Sequence, residues 1–290
     1  MFIKKDLRKI PEILDDEYDD CKDLFLARRS PEFQGTIDLL VSNVNKDRFK
    51  NTQYLSLNSN MLHTVNGIGI FNESPLKFLT LSNNKLETLS QEIRYLYSLE
   101  TLLLEDNQLQ SFPDEIIQLT NLKTLRLTGN PIKNIPSSIE ELTVLETIAL
   151  DNCQLETVPD SLFTLLHLQT VLLGNNHISS LPSVKLLQEL KFLAIDSNQL
   201  NSLPEGLSLL PNLMTLYANK NSITNIDEDW ACNKNTTVIN LEHNQIQDLP
   251  SVLRSIWLAN GQERKGLSLK FNPILINDED LEDNNPKRRK

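Results

Sequence analysis

The 290-residue chain carries 28 basic and 39 acidic side chains, a net charge of −11 with its Lys and Arg scattered, which argues against nucleic acid as the main ligand because phosphate binding needs a basic footprint. Three cysteines, an odd number with no closely spaced pair, point to a reducing compartment. No apolar run approaches the ~20 residues of a membrane helix, and the first residues turn acidic before the apolar stretch of a signal peptide can form, so neither membrane insertion nor secretion is expected.

Residues 1–30 are charge-mixed, with acidic side chains between Asp15 and Asp20. Residues 36–49 place Ile37, Leu40, Val41 and Val44 at i, i+3, i+4 and i+7, which predicts an amphipathic helix with Thr36 as its N-cap. Residues 1–51 do not fit the pattern that follows. They are assigned to the cap that a stacked-repeat protein needs at its open end. A separate partner-binding helix is the alternative.

From residue 52 a pattern of about 23 residues recurs, clearest in the units that start at Leu99, Leu122 and Leu145. Further units start at Thr52, Leu76, Leu168, Leu190, Leu213, Thr236 and Arg264, giving about ten. A fixed period of this length signals a solenoid. Positions 4 and 6 are apolar (Leu102 and Leu104, for example) with a solvent-facing residue between them, the period-2 signature of a short strand. Stacked in parallel, such strands make one continuous core. Position 9 reads Asn60, Asn84, Asn107, Asn130, Cys153, Asn176, Asn198, Asn221, Asn244 and Asn272. It lies where the chain leaves the strand and backbone groups need buried partners, which an amide supplies as both donor and acceptor. Cys153 is read as a compact member of this ladder, not as a nucleophile. The return side carries steps such as Phe112-Pro113, Ile135-Pro136 and Val158-Pro159, each expected to open a short helical turn. Trp230 falls on an inward position of its unit and reads as core.

The ninth unit is longer, about 28 residues from 236 to 264, and its end (250–262) reads as a helix with one apolar side that shields the last turns, with Trp257 beyond the inward positions. Residues 277–290 form an acidic and then basic tail, expected to be solvated. Lys287, Arg288, Arg289 and Lys290 also resemble a nuclear import signal.

The motif LxxLxLxxNxLxxLPxxIxxLxx resembles the typical intracellular leucine-rich repeat, as in Ras-group and scaffold proteins, over residues 52–276. The resemblance implies an α/β solenoid, a horseshoe with a parallel sheet on its concave side. Extracellular repeat proteins of this kind carry disulfide-capped ends, which are missing here.

On that frame positions 3, 5, 7 and 8 project from the strands onto the inner surface. The middle of this surface is apolar and small, with Leu103 and Leu172, flanked by the aromatics Phe78, Phe192 and Tyr217; Arg126 lies on the same surface, and Glu105, Asp151, Asp196 and Glu242 form an acidic rim. The core does not need Leu103, Leu172 or Tyr217, and exposed groups of this kind rimmed by polar residues mark interaction sites. Ten strands at ~4.8 Å span ~45 Å, enough for the ~800 Å² each partner buries in a standard interface. The rim predicts a basic patch on the partner. His63, His167, His177 and His243 occupy different frame positions, and no Gly-rich phosphate loop or Ser-His-Asp set converges. No catalysis, metal or cofactor is therefore expected. The chain reads as a monomeric, non-catalytic scaffold or adaptor in the cytoplasm that binds a protein on its concave face. The alternatives are a nuclear protein binding basic partners such as histones, and a recognition or regulatory subunit of a phosphatase or ubiquitin-ligase complex.

Overall fold

The computed structural model describes residues 9–10, 22–42, 46–227, 236–251, 254 and 266–274, in two compact units, Met1–Gln154 and Leu155–Lys290. The first holds strands β1 (Asp23–Phe25), β2 (Tyr54–Ser56), β3 (Phe78–Thr80), β4 (Thr101–Leu103), β5 (Thr124–Arg126) and β6 (Thr147–Ala149), with short helices α1 (Ser30–Phe33) and α2 (Asp38–Val41) after β1. Each strand runs parallel to the next in chain order. The centres align as Leu24, Leu55, Leu79, Leu102, Leu125 and Ile148. The second unit holds β7 (Thr170–Leu172), β8 (Phe192–Ala194), β9 (Thr215–Tyr217), β10 (Val238–Asn240) and β11 (Leu267–Ser268), also parallel and in order. The expected α/β solenoid of parallel strands is thus present in both.

The strands are only two or three residues long, and their pairing repeats so regularly because one apolar residue per strand enters the core. Leu55, Leu79, Leu102, Leu125, Ile148, Val171, Leu193 and Leu216 are all fully buried. Leu57, Leu81, Leu104, Leu127 and Leu150 of the first unit, at position 6, are buried below them.

Asparagine then closes each turn. Asn130 is 1% exposed. Its Oδ1 accepts the Leu109 N–H at 3.1 Å, and its Nδ2 donates to the Leu104 and Leu127 carbonyls at 2.9 and 2.8 Å. Asn221 repeats the pattern in the second unit, accepting from Leu200 and donating to Ile195 and Ala218. The Leu109 and Leu200 N–H groups have no strand partner and would otherwise be buried unpaired, while the carbonyls are shared with the neighbouring rung, Leu104 with Asn107 and Ala218 with Asn244. Cys153 takes the same place, with its thiol 3.6 Å from the Leu127 carbonyl. A thiol has no amide oxygen, and the Ile132 N–H, which an Asn would bind, turns to the Asn130 carbonyl at 2.7 Å.

The residue before each rung has positive φ: Arg28, Ser59, Asn83, Asp106, Gly129 and Asn152 in the first unit, and Asn175, Ser197, Lys220, His243 and Phe271 in the second. A left-handed residue here turns the chain out of the strand, and Asn, Asp and Gly adopt that conformation with least cost. On the return side Pro113, Pro136 and Pro159 precede the turns Asp114–Gln118, Ser137–Glu141 and Asp160–Thr164. The expected helical turns are therefore present, but of the tighter 3-10 type, with each Pro at the cap in extended conformation.

The N-terminal expectation needs correction. Residues 22–51 are not outside the pattern, because β1 pairs with β2 in the register of the repeats. Arg29 stands where the others carry Asn, its backbone N–H bonded to Asn60 Oδ1. Its guanidinium meets Glu32 at 3.1 Å, and the other Glu32 oxygen accepts the Ile10 N–H at 2.8 Å, holding a fully buried Ile10 against this first turn. The expected amphipathic helix is also broken: α2 covers only Asp38–Val41, and Lys46–Phe49 forms a 3-10 turn. Ile37, not Thr36, is the cap residue of α2, although Thr36 Oγ1 accepts the Asp38 N–H at 3.3 Å. Ser42 is extended and ends the helix. The next turn is tied across repeats: Glu92 Oε2 accepts the N–H groups of Gly67 and Gly69 at 2.6 and 3.2 Å.

Val44, Trp230, Trp257, most of the 250–262 segment and the tail with Lys287–Lys290 lie outside the described residues.

Candidate partner-binding surface

The strand face of the first unit is built from two rows. Position 5 aligns Phe25, Ser56, Thr80, Leu103, Arg126 and Ala149 across β1 to β6. Position 3 aligns Asp23, Tyr54, Phe78, Thr101, Thr124 and Thr147. The expectation that position 5 faces solvent throughout holds only in part. Ser56, Thr80 and Ala149 are buried, Leu103 is half-buried, and Arg126 is exposed. At ~4.8 Å between strands a larger neighbour shelters a small side chain, so the surface offered to a partner is that of the large residues.

Phe78 belongs to an aromatic ladder. Its ring lies 4.3 Å from that of Tyr54, 7° from parallel. The Tyr54 ring in turn lies 4.8 Å from Phe25. Burial, and next the nearby Asp23 carboxylate, push the Tyr54 phenol above its ordinary pKa. The sequence pattern sets residues 1–51 apart from the repeat, so Phe25 and Asp23 are not legible as site residues in it. The signal was there in the alternation of Leu24, Phe25 and Leu26, displaced by a first unit of 31 residues (Asp23 to Tyr54) instead of 23.

The acidic rim is engaged within the chain at Glu105. Glu105 accepts the Ser82 hydroxyl at 2.7 Å and meets the Arg126 guanidinium at 3.6 Å, so these two predicted site residues pair with each other. Asp151, two residues past β6, is half-buried. Beside the strands, Glu100 bridges Lys77 and Lys123 at 2.9 Å each, and hydrogen bonds from these two ammonium groups lower its pKa.

In the second unit Leu172, Ala194, Tyr217 and Asn240 align along position 5. Leu172 and Tyr217 are half-buried, and Ala194 is buried. Phe192 stands at position 3 of β8, its ring edge-on to Tyr217 at 5.5 Å and 70°. Asp196 accepts the Ser197 hydroxyl at 3.3 Å, and Glu242 accepts that of Ser268. His243 stacks on the exposed Phe271 ring at 4.2 Å. The structure thus brings Leu172, Phe192 and Tyr217 into one apolar face, with Asp196 and Glu242 past the strand ends.

Cys153, 7% exposed, is pushed by burial up to a pKa of about 11, as fits a ladder member and not a thiolate nucleophile. Among the described residues no group of three His, Cys, Asp or Glu is placed to hold a metal ion, and no helix is long and apolar enough to cross a membrane.

A family model described as a leucine-rich repeat region matches residues 33–158. No curated protein matches the chain. Among solved structures, an internalin of Listeria monocytogenes superposes with a TM-score of 0.63 at 23% identity, over 83% of this chain and 71% of its own. A second internalin of that bacterium is 30% identical over 72% of this chain and 79% of its own, TM-score 0.54. The Arabidopsis receptor kinase HAESA, in complex with a peptide hormone and a co-receptor, gives a TM-score of 0.64 at 25% identity over 77% of this chain. The chain spans only 38% of that receptor structure.

Proposed function

This chain belongs to the leucine-rich repeat proteins, and we propose that it is a non-catalytic scaffold or adaptor that binds a protein partner on its strand face. The observation that carries this reading is the apolar surface of Leu172, Phe192 and Tyr217. These residues sit on the side of β7, β8 and β9 that the core does not use, since Val171, Leu193 and Leu216 between them already fill it. The face remains half-exposed, and large apolar groups held there are stabilised by a partner that covers them. Leu103 and the ring ladder of the first unit offer a similar surface. The receptor kinase structure, solved in complex with a peptide hormone and a co-receptor, supports reading a repeat chain of this kind as a binder of polypeptide partners.

Affinity purification with mass spectrometry tests it. The triple variant Leu103→Ala, Leu172→Ala and Tyr217→Ala is expected to lose a partner that the wild type retains, with affinity reduced about tenfold or more, while the circular dichroism melt stays within a few degrees. Equal recovery by both proteins moves the site off the strand face.

The location is part of the same proposal: a cytoplasmic protein, with Lys287, Arg288, Arg289 and Lys290 as the import signal of the alternative nuclear reading. Deleting residues 286–290 is expected to shift a tagged protein out of the nucleus. An unchanged distribution assigns the basic run to solvated charge.

A further inference from the structure

We propose that the aromatic ladder of Phe25, Tyr54 and Phe78, with the Asp23 carboxylate beside it, receives an arginine side chain from an extended basic segment of the partner protein; this rests on the strand-face reading above and names the chemistry it recognises.

Asp23 and Phe25 flank the buried Leu24 and therefore stand on the same solvent side of β1. Asp23 lies opposite Tyr54 in the register, and Phe25 and Phe78 contact the Tyr54 ring from the two neighbouring strands. The three rings stay half-exposed. Phe25 and Phe78 lie against the Tyr54 ring, so it is on the faces these two turn away from Tyr54 that a flat, weakly hydrated guanidinium stacks, where a compact ammonium gains less from the ring plane. Charge selects the same ligand. Asp23 is exposed and makes no ion pair with any described residue, whereas Glu105, Glu32 and Glu100 are each matched by a cation of the chain itself. An anionic or neutral aromatic ligand would meet the uncompensated carboxylate, and an aliphatic one would leave it unpaired beside apolar surface, which costs free energy. A guanidinium satisfies both the rings and the carboxylate.

The test uses the full chain and an acetylated nonapeptide of alternating glycine and arginine, with a matched peptide carrying neutral citrulline at every arginine. Aromatic NMR signals of Phe and Tyr report the site, and calorimetry reports affinity. The arginine peptide is expected to shift the signals of Phe25, Tyr54 and Phe78. Affinity should fall about tenfold or more for the citrulline peptide, and likewise for the arginine peptide on Asp23→Asn, a surface change that keeps the fold, or on Tyr54→Leu. Equal binding of the citrulline peptide, unchanged affinity of Asp23→Asn, or no shift at the three rings overturns the proposal. If shifts appear only at Phe192 and Tyr217, the arginine site is wrong while the strand-face reading stands. If a purified partner survives both Asp23→Asn and the Leu103, Leu172, Tyr217 triple variant, the strand-face reading itself fails.

Discussion

Replacing Asn130 with alanine is expected to destabilise the protein by on the order of 3–5 kcal/mol. The amide makes three hydrogen bonds, accepting from Leu109 and donating to Leu104 and Leu127. Its residue is almost wholly buried, so water cannot replace them. Truncation orphans the buried Leu109 N–H, at about 1–3 kcal/mol, and removes one of two donors from each of the Leu104 and Leu127 carbonyls, which keep Asn107 Nδ2 at 3.0 Å and the Cys153 thiol at 3.6 Å, at about 0.5–1.5 kcal/mol each. Asn121 provides the contrast: it is exposed and makes one bond, from Nδ2 to the Tyr97 carbonyl at 2.8 Å. Asn121→Ala should cost less than about 1 kcal/mol. Urea unfolding of both variants measures the difference. Similar midpoints would show that the ladder contributes little.

Alkaline pH should unfold the wild type before the Cys153→Ala variant. Burial raises the folded-state pKa of Cys153 to about 11, against about 8.5 in an unfolded chain. The folded state therefore keeps its proton where the unfolded state releases it. The stability this contributes is complete below about pH 8.5 and is lost as the pH rises toward about 11, reaching about 2–3 kcal/mol near pH 10.5. Other groups titrate in the same window, and they do so in both proteins, so the differential slope belongs to the thiol. Denaturant unfolding at pH 8 and pH 10.5 reads it. Parallel pH profiles would mean that the thiolate is accommodated in the folded chain.

The repeat frame was legible because each position in it answers a local physical demand. Leu102 and Leu104 alternate with polar neighbours as a short strand requires, and Asn130 appears where a turn must satisfy buried backbone groups. Left-handed residues could have been read in the same way from Asn83, Asp106, Gly129 and Asn152, which favour that conformation. Lys220 and Phe271 hide the rule, because their side chains carry no preference for it and the stack imposes it. The first turn is hidden in the sequence because its length is irregular and its rung is Arg29, whose guanidinium pairs with Glu32 three residues on and whose N–H bonds Asn60 of the next repeat. With that turn went Phe25 and Asp23. The pairing of Glu105 with Arg126 was equally hidden, since 21 positions separate two residues that adjacent repeats bring together.

By itself the sequence determined the solenoid class, the strand positions, the apolar core and the asparagine ladder. These follow from periodicity and from the hydrogen-bonding capacity of single side chains, and a periodic chain states such demands many times over. Only the tertiary structure decided how the strand face is divided. Neighbouring strands bury Ala149 and Ala194 while leaving Leu172 and Tyr217 half-open. They engage Glu105 and Glu242 within the chain while leaving Asp23 exposed beside a stack of rings. Exposure and charge pairing depend on what the adjacent repeat places a few ångströms away, and no single repeat contains that information.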